Sequence, residues 1–192
     1  METFRNFLES SEVLRSIKRG IEHQNALLPY IFVTVYECLM FWVADTMICR
    51  RSKAAVQITI ERSTRYTMIS KLPAKTAGRM REKHITRLED IHSMVRKTIT
   101  FDNGTENAEH ETITKELQLK TYFCHPYHSW EKGSVENIIG LIRQHLPKKT
   151  DFSEVSHDSI MAIENRLNNR PRKCLGFRTP KEVFSKAVAL AS

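Results

Sequence analysis

The sequence predicts an α/β domain built on a mixed sheet with helices on both faces, and three observations carry that reading. Short β-branched and aromatic runs come first and then alternate with longer segments of helical period. That is the order expected when strands pair and helices cross over them. Two of the runs, 54–60 and 66–72, are separated by Arg62-Ser63-Thr64-Arg65, the spacing of a hairpin. The composition, 41% hydrophobic and 27% charged over 192 residues, supports one domain with a buried core and an appendage.

Taken in order, residues 1–25 read as a polar, weakly helical arm, and Tyr30–Tyr36 as a strand. Leu39–Ile48 reads as a second strand or a continuation, carrying Asp45. The basic turn Arg50-Arg51-Ser52-Lys53 leads into the hairpin. A helix is expected from about Thr76 to His92, because Ala77, Met80, His84, Leu88 and Ile91 recur at spacings of three and four. Thr98–Phe101 is a short strand ending at Asp102, Asn103-Gly104 turns, and a helix follows from about Ala108 to Leu117. Lys120–Cys124 is a strand and His125–Lys132 a loop. Helices are expected from about Ser134 to Leu146 and Val155 to Asn168. The last helix has the clearest start: Thr179 as cap, Pro180 at the first helical position, Glu182 three residues after the cap.

Thirty Lys and Arg against 22 Asp and Glu leave a net charge of +8, which favours a polyanionic partner. The four cysteines (Cys38, Cys49, Cys124, Cys174) form no Cys-x-x-Cys pair, so reduced thiols in a cytoplasmic protein are expected. The most apolar stretch, 26–44, contains Pro29 and Glu37, and no membrane span is expected. No His-x-x-x-His spacing suggests a zinc hydrolase.

Three carboxylates fall where this architecture would gather them. Asp45 lies on the first core strand, Asp102 at the carboxyl end of a later strand, and Glu136 in the first turn of a long helix. Ligand sites in open α/β sheets collect at the carboxyl ends of strands. Carboxylates supply the hard oxygen donors that Mg²⁺ or Mn²⁺ needs, and two such ions can activate an attacking oxygen and stabilise a leaving one. Val135, Ile138, Ile139, Ile142 and Leu146 form an apolar stripe, and Glu136, Gly140 and Arg143 lie off it. The competing readings are a turn or cap for each Asp and a favourable helix-start charge for Glu136.

Phe101-Asp102-Asn103-Gly104-Thr105-Glu106, His125-Pro126-Tyr127, Ser129-Trp130-Glu131-Lys132-Gly133, Glu136-Asn137 and Gly140-Leu141-Ile142-Arg143-Gln144 resemble the catalytic core of integrase-type transposases of the insertion-sequence-thirty family. Leu167 to Gly176 and Thr179-Pro180 extend the resemblance, which covers about Trp42 to Phe184. It implies a ribonuclease-H-like fold and a DDE triad of Asp45, Asp102 and Glu136 holding two divalent ions, Mg²⁺ or Mn²⁺. It further implies cleavage at transposon ends followed by strand transfer into target DNA, within a homo-oligomeric complex on the bacterial nucleoid. Two positions depart from the pattern: Val43 where an acid is usual, and Cys49 where Gly is common. Residues 1–41 resemble nothing in the family. They are set apart as a divergent arm, with 42–192 as the core, and the chain is expected to be truncated at its amino end. The alternative, from a different class, is an inactive remnant that binds DNA or a full-length partner. A third reading is a metal-dependent nuclease without a transposition role.

Basic residues fall into two sets. Arg50, Arg51, Lys53, Arg62, Arg65 and Lys71 surround the first hairpin, and Arg166, Arg170, Arg172 and Lys173 follow the fourth helix. Arg62, Arg65, Lys71, Lys132, Arg143, Arg170, Arg172 and Lys173 are the candidate DNA contacts, which would bind phosphates in a salt-dependent way. His125, Tyr127, His128 and Trp130 are candidates for stacking on a base or sugar, with Trp130 equally a loop anchor.

Overall fold

The computed structural model describes residues 40–93, 96–125 and 133–189. The expected arm, the strand at 30–36, Cys38, the loop residues Tyr127, His128 and Trp130, and Lys132 lie outside the described residues.

Five strands form one mixed sheet in the order β3-β2-β1-β4-β5. They are β1 Met40–Ile48, β2 Ala55–Glu61, β3 Thr67–Leu72, β4 Arg96–Phe101 and β5 Lys120–Phe123. β1, β2 and β3 are an antiparallel meander, with the hairpin register Ile60↔Thr67 to Ala55↔Leu72. β4 lies parallel to β1, and β5 parallel to β4. The helices are α1 Ala77–Leu88, α2 His110–Leu117, α3 Gly133–Arg143, α4 His157–Asn168 and α5 Pro180–Ala189.

Strand alternation splits the core into two layers. Val43, Met47, Val56, Ile58 and Ile60 face Val135, Ile138 and Ile142 of α3 and Ile160 and Leu167 of α4. Met40, Trp42, Ala44, Ile99 and Phe101 face the other way, with Leu88, Ile113, Leu117 and Ala187. Phe184 of α5 stacks on Tyr66 at 4.1 Å and meets Trp42 edge-on. The mixed sheet with helices on both faces is therefore as the sequence predicts.

The helix ends differ from the sequence reading, for identifiable reasons. α1 stops at Leu88 because Arg96, buried at the start of β4, claims its carboxyl end. The Arg96 Nη1 donates to the carbonyls of Leu88, Glu89 and Ile91 at 2.6–2.7 Å, and its Nε donates to Leu117, the last residue of α2, at 3.0 Å. One cation thus satisfies orphan carbonyls of two helices and complements both dipoles. A 3₁₀ turn, Thr105–Asn107, precedes α2 and delays its start to His110. At α5 the expected capping box is present: the Thr179 amide donates to Glu182 Oε2 at 2.8 Å, and the Glu182 amide donates to Thr179 Oγ1 at 3.2 Å. The Thr179 amide, then its hydroxyl, holds the Glu182 carboxyl below its usual range.

The edge strand β3 is closed by side chains rather than by another strand. Glu164 of α4 accepts from the Ile69 amide at 2.6 Å and pairs with Arg87 at 2.5 Å. Asn168, one turn on, accepts from the Thr67 amide and donates to the Thr67 carbonyl, at 2.9 and 2.7 Å. Exposed edges template unwanted pairing, and here the groups concerned are taken up internally. Among the described residues the three cysteines are free, and no helix is long and apolar enough to cross a membrane.

His84 of α1 is fully buried against Phe101, ring centroids 5.2 Å apart, with Nδ1 3.5 Å from the Thr59 hydroxyl. Burial pushes its pKa down to about 3 from 6.5. The folded state therefore binds fewer protons than the unfolded state between those values. The stability His84 supports is complete above about pH 6.5 and is lost as pH falls toward 3. We expect the stability difference between wild type and His84→Met, measured by urea melts from pH 7 to 4, to move in the variant's favour on acidification. The expected slope is up to about 1.4 kcal/mol per pH unit. A pH-independent difference would show that the ring binds its proton in the fold as readily as in the unfolded chain.

Candidate active site

The site is positioned by the parallel pairing of β1 and β4. Their register runs Phe41↔Thr98, Trp42↔Ile99 and Val43↔Thr100. The pairing ends at Val43↔Thr100, and continued by two residues this register would set Asp45 beside Asp102. By alternation both lie on the sheet face of Val43, the face against which α3 packs. Both aspartates are half-buried. The Thr46 amide donates to Asp45 Oδ1 at 2.7 Å, and Asn107 Nδ2 donates to Asp102 Oδ1 at 2.8 Å.

The chain after Asp102 is a tight, anchored turn. Asn103 Nδ2 donates to the Cys124 carbonyl at 2.9 Å, tying the turn to the end of β5. Glu106 is buried and folds back over Gly104, so closely that a Cβ on Gly104 would lie 2.2 Å from Glu106 Oε2. Lys75, from the connection between β3 and α1, pairs with Glu106 at 2.6 Å. These partners (Lys75, Glu106 and Asn107) were not among the sequence candidates. The Asp-Asn-Gly-Thr-Glu-Asn run was the only signal for Glu106 and Asn107, and it reads equally as a turn; Lys75 had none.

Glu136 sits in the first turn of α3, exposed, while Val135, Ile138 and Ile142 are buried beneath the same helix. The apolar stripe therefore falls as expected, and Glu136 is left off it. Among the described residues, no three His, Cys, Asp or Glu side chains come together as a metal-holding group. Asp45 thus lies inside β1, three residues before its end, Asp102 directly follows β4, and Glu136 is not gathered with them. The segment leading into α3, 126–132, lies outside the described residues.

The basic candidates separate by place. Antiparallel pairing of β1 with β2 puts the turn Arg50, Arg51, Lys53 at the carboxyl end of β1, the acid end. Arg62 and Arg65 lie at the far end of the hairpin, where the Arg62 amide bonds the Phe41 carbonyl. The hairpin cluster is therefore two patches, one strand length of about 20 Å apart. The Lys71 ammonium donates to the Ser153 and Val155 carbonyls at 2.8 and 2.6 Å. The Arg143 guanidinium lies 5.7 Å over the Phe152 ring and reaches the Leu146 carbonyl, and burial lowers its pKa. Arg172 donates to the Leu167 carbonyl at 3.4 Å. Arg170 and Lys173 are exposed.

The sheet order and the parallel β1–β4 pair are those of a ribonuclease-H-like fold, the fold of integrase catalytic cores. Solved structures agree on the fold. The catalytic core domain of BIV integrase matches with a TM-score of 0.61 and 19% identity over 77% of this chain and 94% of that one. A simian T-cell lymphotropic virus intasome, solved in complex with the PP2A regulatory subunit B56 gamma, matches with a TM-score of 0.61 and 16% identity, over 74% of this chain and 53% of that one. No family model matches the chain.

Among curated relatives, the transposase of insertion sequence element IS4351 from Bacteroides fragilis is 46% identical over 144 residues, 75% of this chain and 44% of its own length. Transposase InsI of element IS30A from Escherichia coli K12 is 36% identical over 149 residues, 78% of this chain and 39% of its own. Over about three quarters of its length the chain is a homologue of the IS30-family and other insertion-sequence transposases. It spans about two fifths of the length of those relatives.

Gly104 gives a test of the turn. Gly104→Ala should cost about 1–3 kcal/mol by expelling the Glu106 carboxyl from its buried place. The same change in a Glu106→Ala background should cost much less. Equal costs in the two backgrounds, read from denaturant melts, would mean that the Gly104–Glu106 contact is not the constraint.

Proposed function

We propose that this chain is the metal-dependent catalytic domain of a DNA transposase, cutting a strand at a transposon end and joining it to target DNA. The observation that carries the reading is the β1–β4 register, which, run on two residues past Val43↔Thr100, would bring Asp45 and Asp102 next to each other. Similarity to insertion-sequence transposases over three quarters of the chain supports it.

The donor set fits a hard divalent cation, because both side chains at the strand ends are carboxylates. Asp45, Asp102 and Glu136 would hold Mg²⁺ or Mn²⁺, two ions in the full site. When bound, such ions activate an attacking oxygen and stabilise the leaving one. The chain's own contribution is placement. β1 and β4 hold the aspartates in register. α3 carries Glu136 on the same side of the sheet. The Asn103 tie to Cys124 fixes the turn beside Asp102. The exposed turn Arg50, Arg51, Lys53 offers cations to the DNA backbone at the acid end, and Arg170 and Lys173 offer a second patch. The partners we infer are transposon ends, target DNA and further copies of the chain, on DNA in the bacterial cytoplasm.

The second reading is an inactive remnant that binds DNA or a full-length partner. The unconverged position of Glu136 favours it. Melting curves of wild type and Glu136→Gln, each with and without Mn²⁺, separate the two. As a metal ligand, Glu136→Gln should leave the apo protein as stable or slightly more stable and lose most of the Mn²⁺-induced rise. As a helix-start charge, it should lose up to about 1 kcal/mol and keep the rise. Metal-dependent nicking of duplex DNA that survives Asp102→Asn would defeat the catalytic assignment.

DNA binding should weaken steeply with salt, because released counterions drive it. Removing the charges of Arg50, Arg51 and Lys53 should reduce both affinity and the salt slope. Removing those of Arg62 and Arg65 should reduce them less, since that patch is at the opposite end of β2. Binding titrations at several salt concentrations would show the reverse order if the far patch held the DNA.

A further inference from the structure

The carboxamide of Asn107 stands out beside the acid pair. The residue is only 5% exposed and closes the 3₁₀ turn Thr105–Asn107. Its main chain is bonded elsewhere: the amide donates to the Gly104 carbonyl at 3.0 Å, and the carbonyl lies 3.1 Å from His110 Nδ1. Its side chain goes to Asp102 twice. Nδ2 reaches the Asp102 carbonyl at 3.1 Å and Asp102 Oδ1 at 2.8 Å. Both targets are acceptors, so the NH₂ end must face them, and the two contacts use both of its hydrogens.

A turn-stabilising Asn needs only the carbonyl contact. The second contact fixes the Asp102 side chain relative to its own backbone. The donor that does so is neutral. An Arg or Lys there would hold the carboxylate equally well but would cancel the negative charge a cation requires. A neutral donor orients the carboxylate and leaves its charge. The turn carrying Asn107 is itself braced, by Glu106 packed over Gly104 and paired with Lys75.

We propose that Asn107 is a positioning residue for Asp102, setting the rotamer in which the carboxylate meets a divalent cation. The proposal rests on the reading of Asp102 as a metal-holding acid. Outer partners that orient metal-binding side chains are commonly worth 10–100-fold in affinity.

The test is Mn²⁺ binding by calorimetry on the 192-residue chain, for wild type, Asn107→Ala, Asn107→Leu, Asn107→Asp and Asp102→Asn, with apo melting temperatures alongside. Asn107→Asp removes the donor but adds a carboxylate that itself attracts a cation, so it controls for charge, and Asn107→Leu, a neutral side chain of similar size without a donor, serves if the alanine variant does not fold. We expect folded Asn107→Ala and Asn107→Leu to bind Mn²⁺ on the order of 10-fold more weakly. The Mg²⁺ concentration for half-maximal nicking should rise by a similar factor, and the rate at saturating Mg²⁺ should fall less. Asn107→Ala and Asn107→Leu with lowered melting temperature but wild-type Mn²⁺ affinity would make Asn107 structural only. If that happens while Asp102→Asn loses binding, the proposal falls and the site reading stands. Mn²⁺ affinity unchanged in Asp102→Asn, or undetectable in wild type, would overturn the site reading and this proposal with it.

Discussion

The functional geometry of this chain depends on how β1 pairs with β4. Parallel neighbours share a face only at one register, and a slip of one residue turns every side chain of one strand to the other side. The pairing begins as Met40↔Arg96 and then shifts, with Phe41 opposite Thr98. Lys97 is the extra residue. Without that irregularity the starting register would bring Phe101 beside Asp45, with Asp102 on the opposite face. Run on by two residues, the shifted register would bring Asp45 and Asp102 to one face, and it also sends Phe101 into the layer with Trp42 and Ile99. Burial of Phe101 and pairing of Asp102 are therefore set by the same constraint.

Buried polar groups hold that register from its flanks. Arg96 begins β4 and bonds the carboxyl ends of α1 and α2, so the start of the strand cannot move without stripping both helix ends. Glu61 ends β2 and is wholly buried. It accepts from the Phe41, Ser63 and Thr64 amides and from the Thr64 hydroxyl, at 2.5–3.2 Å. Its bond to Phe41 lies next to the β1–β4 irregularity. Breaking these bonds leaves buried amides or carboxylate oxygens unsatisfied, which costs about 1–3 kcal/mol each. Slippage is discouraged by these losses as well as by apolar packing. Glu164 and Asn168 act likewise on β3, where they fix α4 against the sheet edge.

Strand and helix identities were legible because local pattern and tertiary demand agree. The hairpin, the stripe of α3 and the Thr179–Glu182 box all appear as the residues suggest. Helix ends were less legible, since their limits depend on residues far along the chain: Arg96 shortens α1, and Arg96 is not periodic with it. The charges were least legible. Lys71 and Arg62 look alike in a basic run. Pairing across the hairpin sends them to opposite ends, one to the Ser153 and Val155 carbonyls and the other to solvent. Asp45 and Asp102 could be singled out because strand ends gather ligands. Asn107 could not, because its role exists only once the turn at Gly104 closes.

The acid pair and Glu136 are held by different kinds of support. β1 and β4 lie in the middle of a five-stranded sheet, hydrogen-bonded on both sides, and their ends move only if the sheet does. Glu136 rides on α3, which packs on the sheet through Val135, Ile138 and Ile142. Apolar contact is non-directional, so it permits a helix to slide or turn at less cost than a hydrogen-bonded ladder. A carboxylate on such a helix can approach or leave a fixed aspartate pair. In the proposed site, two neighbouring carboxylates would oppose its approach without metal, and a bound cation would reverse the sign of that force. Exposure of Glu136 is thus common to both readings, a helix-start charge in a remnant and a third acid outside the pair in an enzyme, and what favours the remnant is that the three acids do not converge.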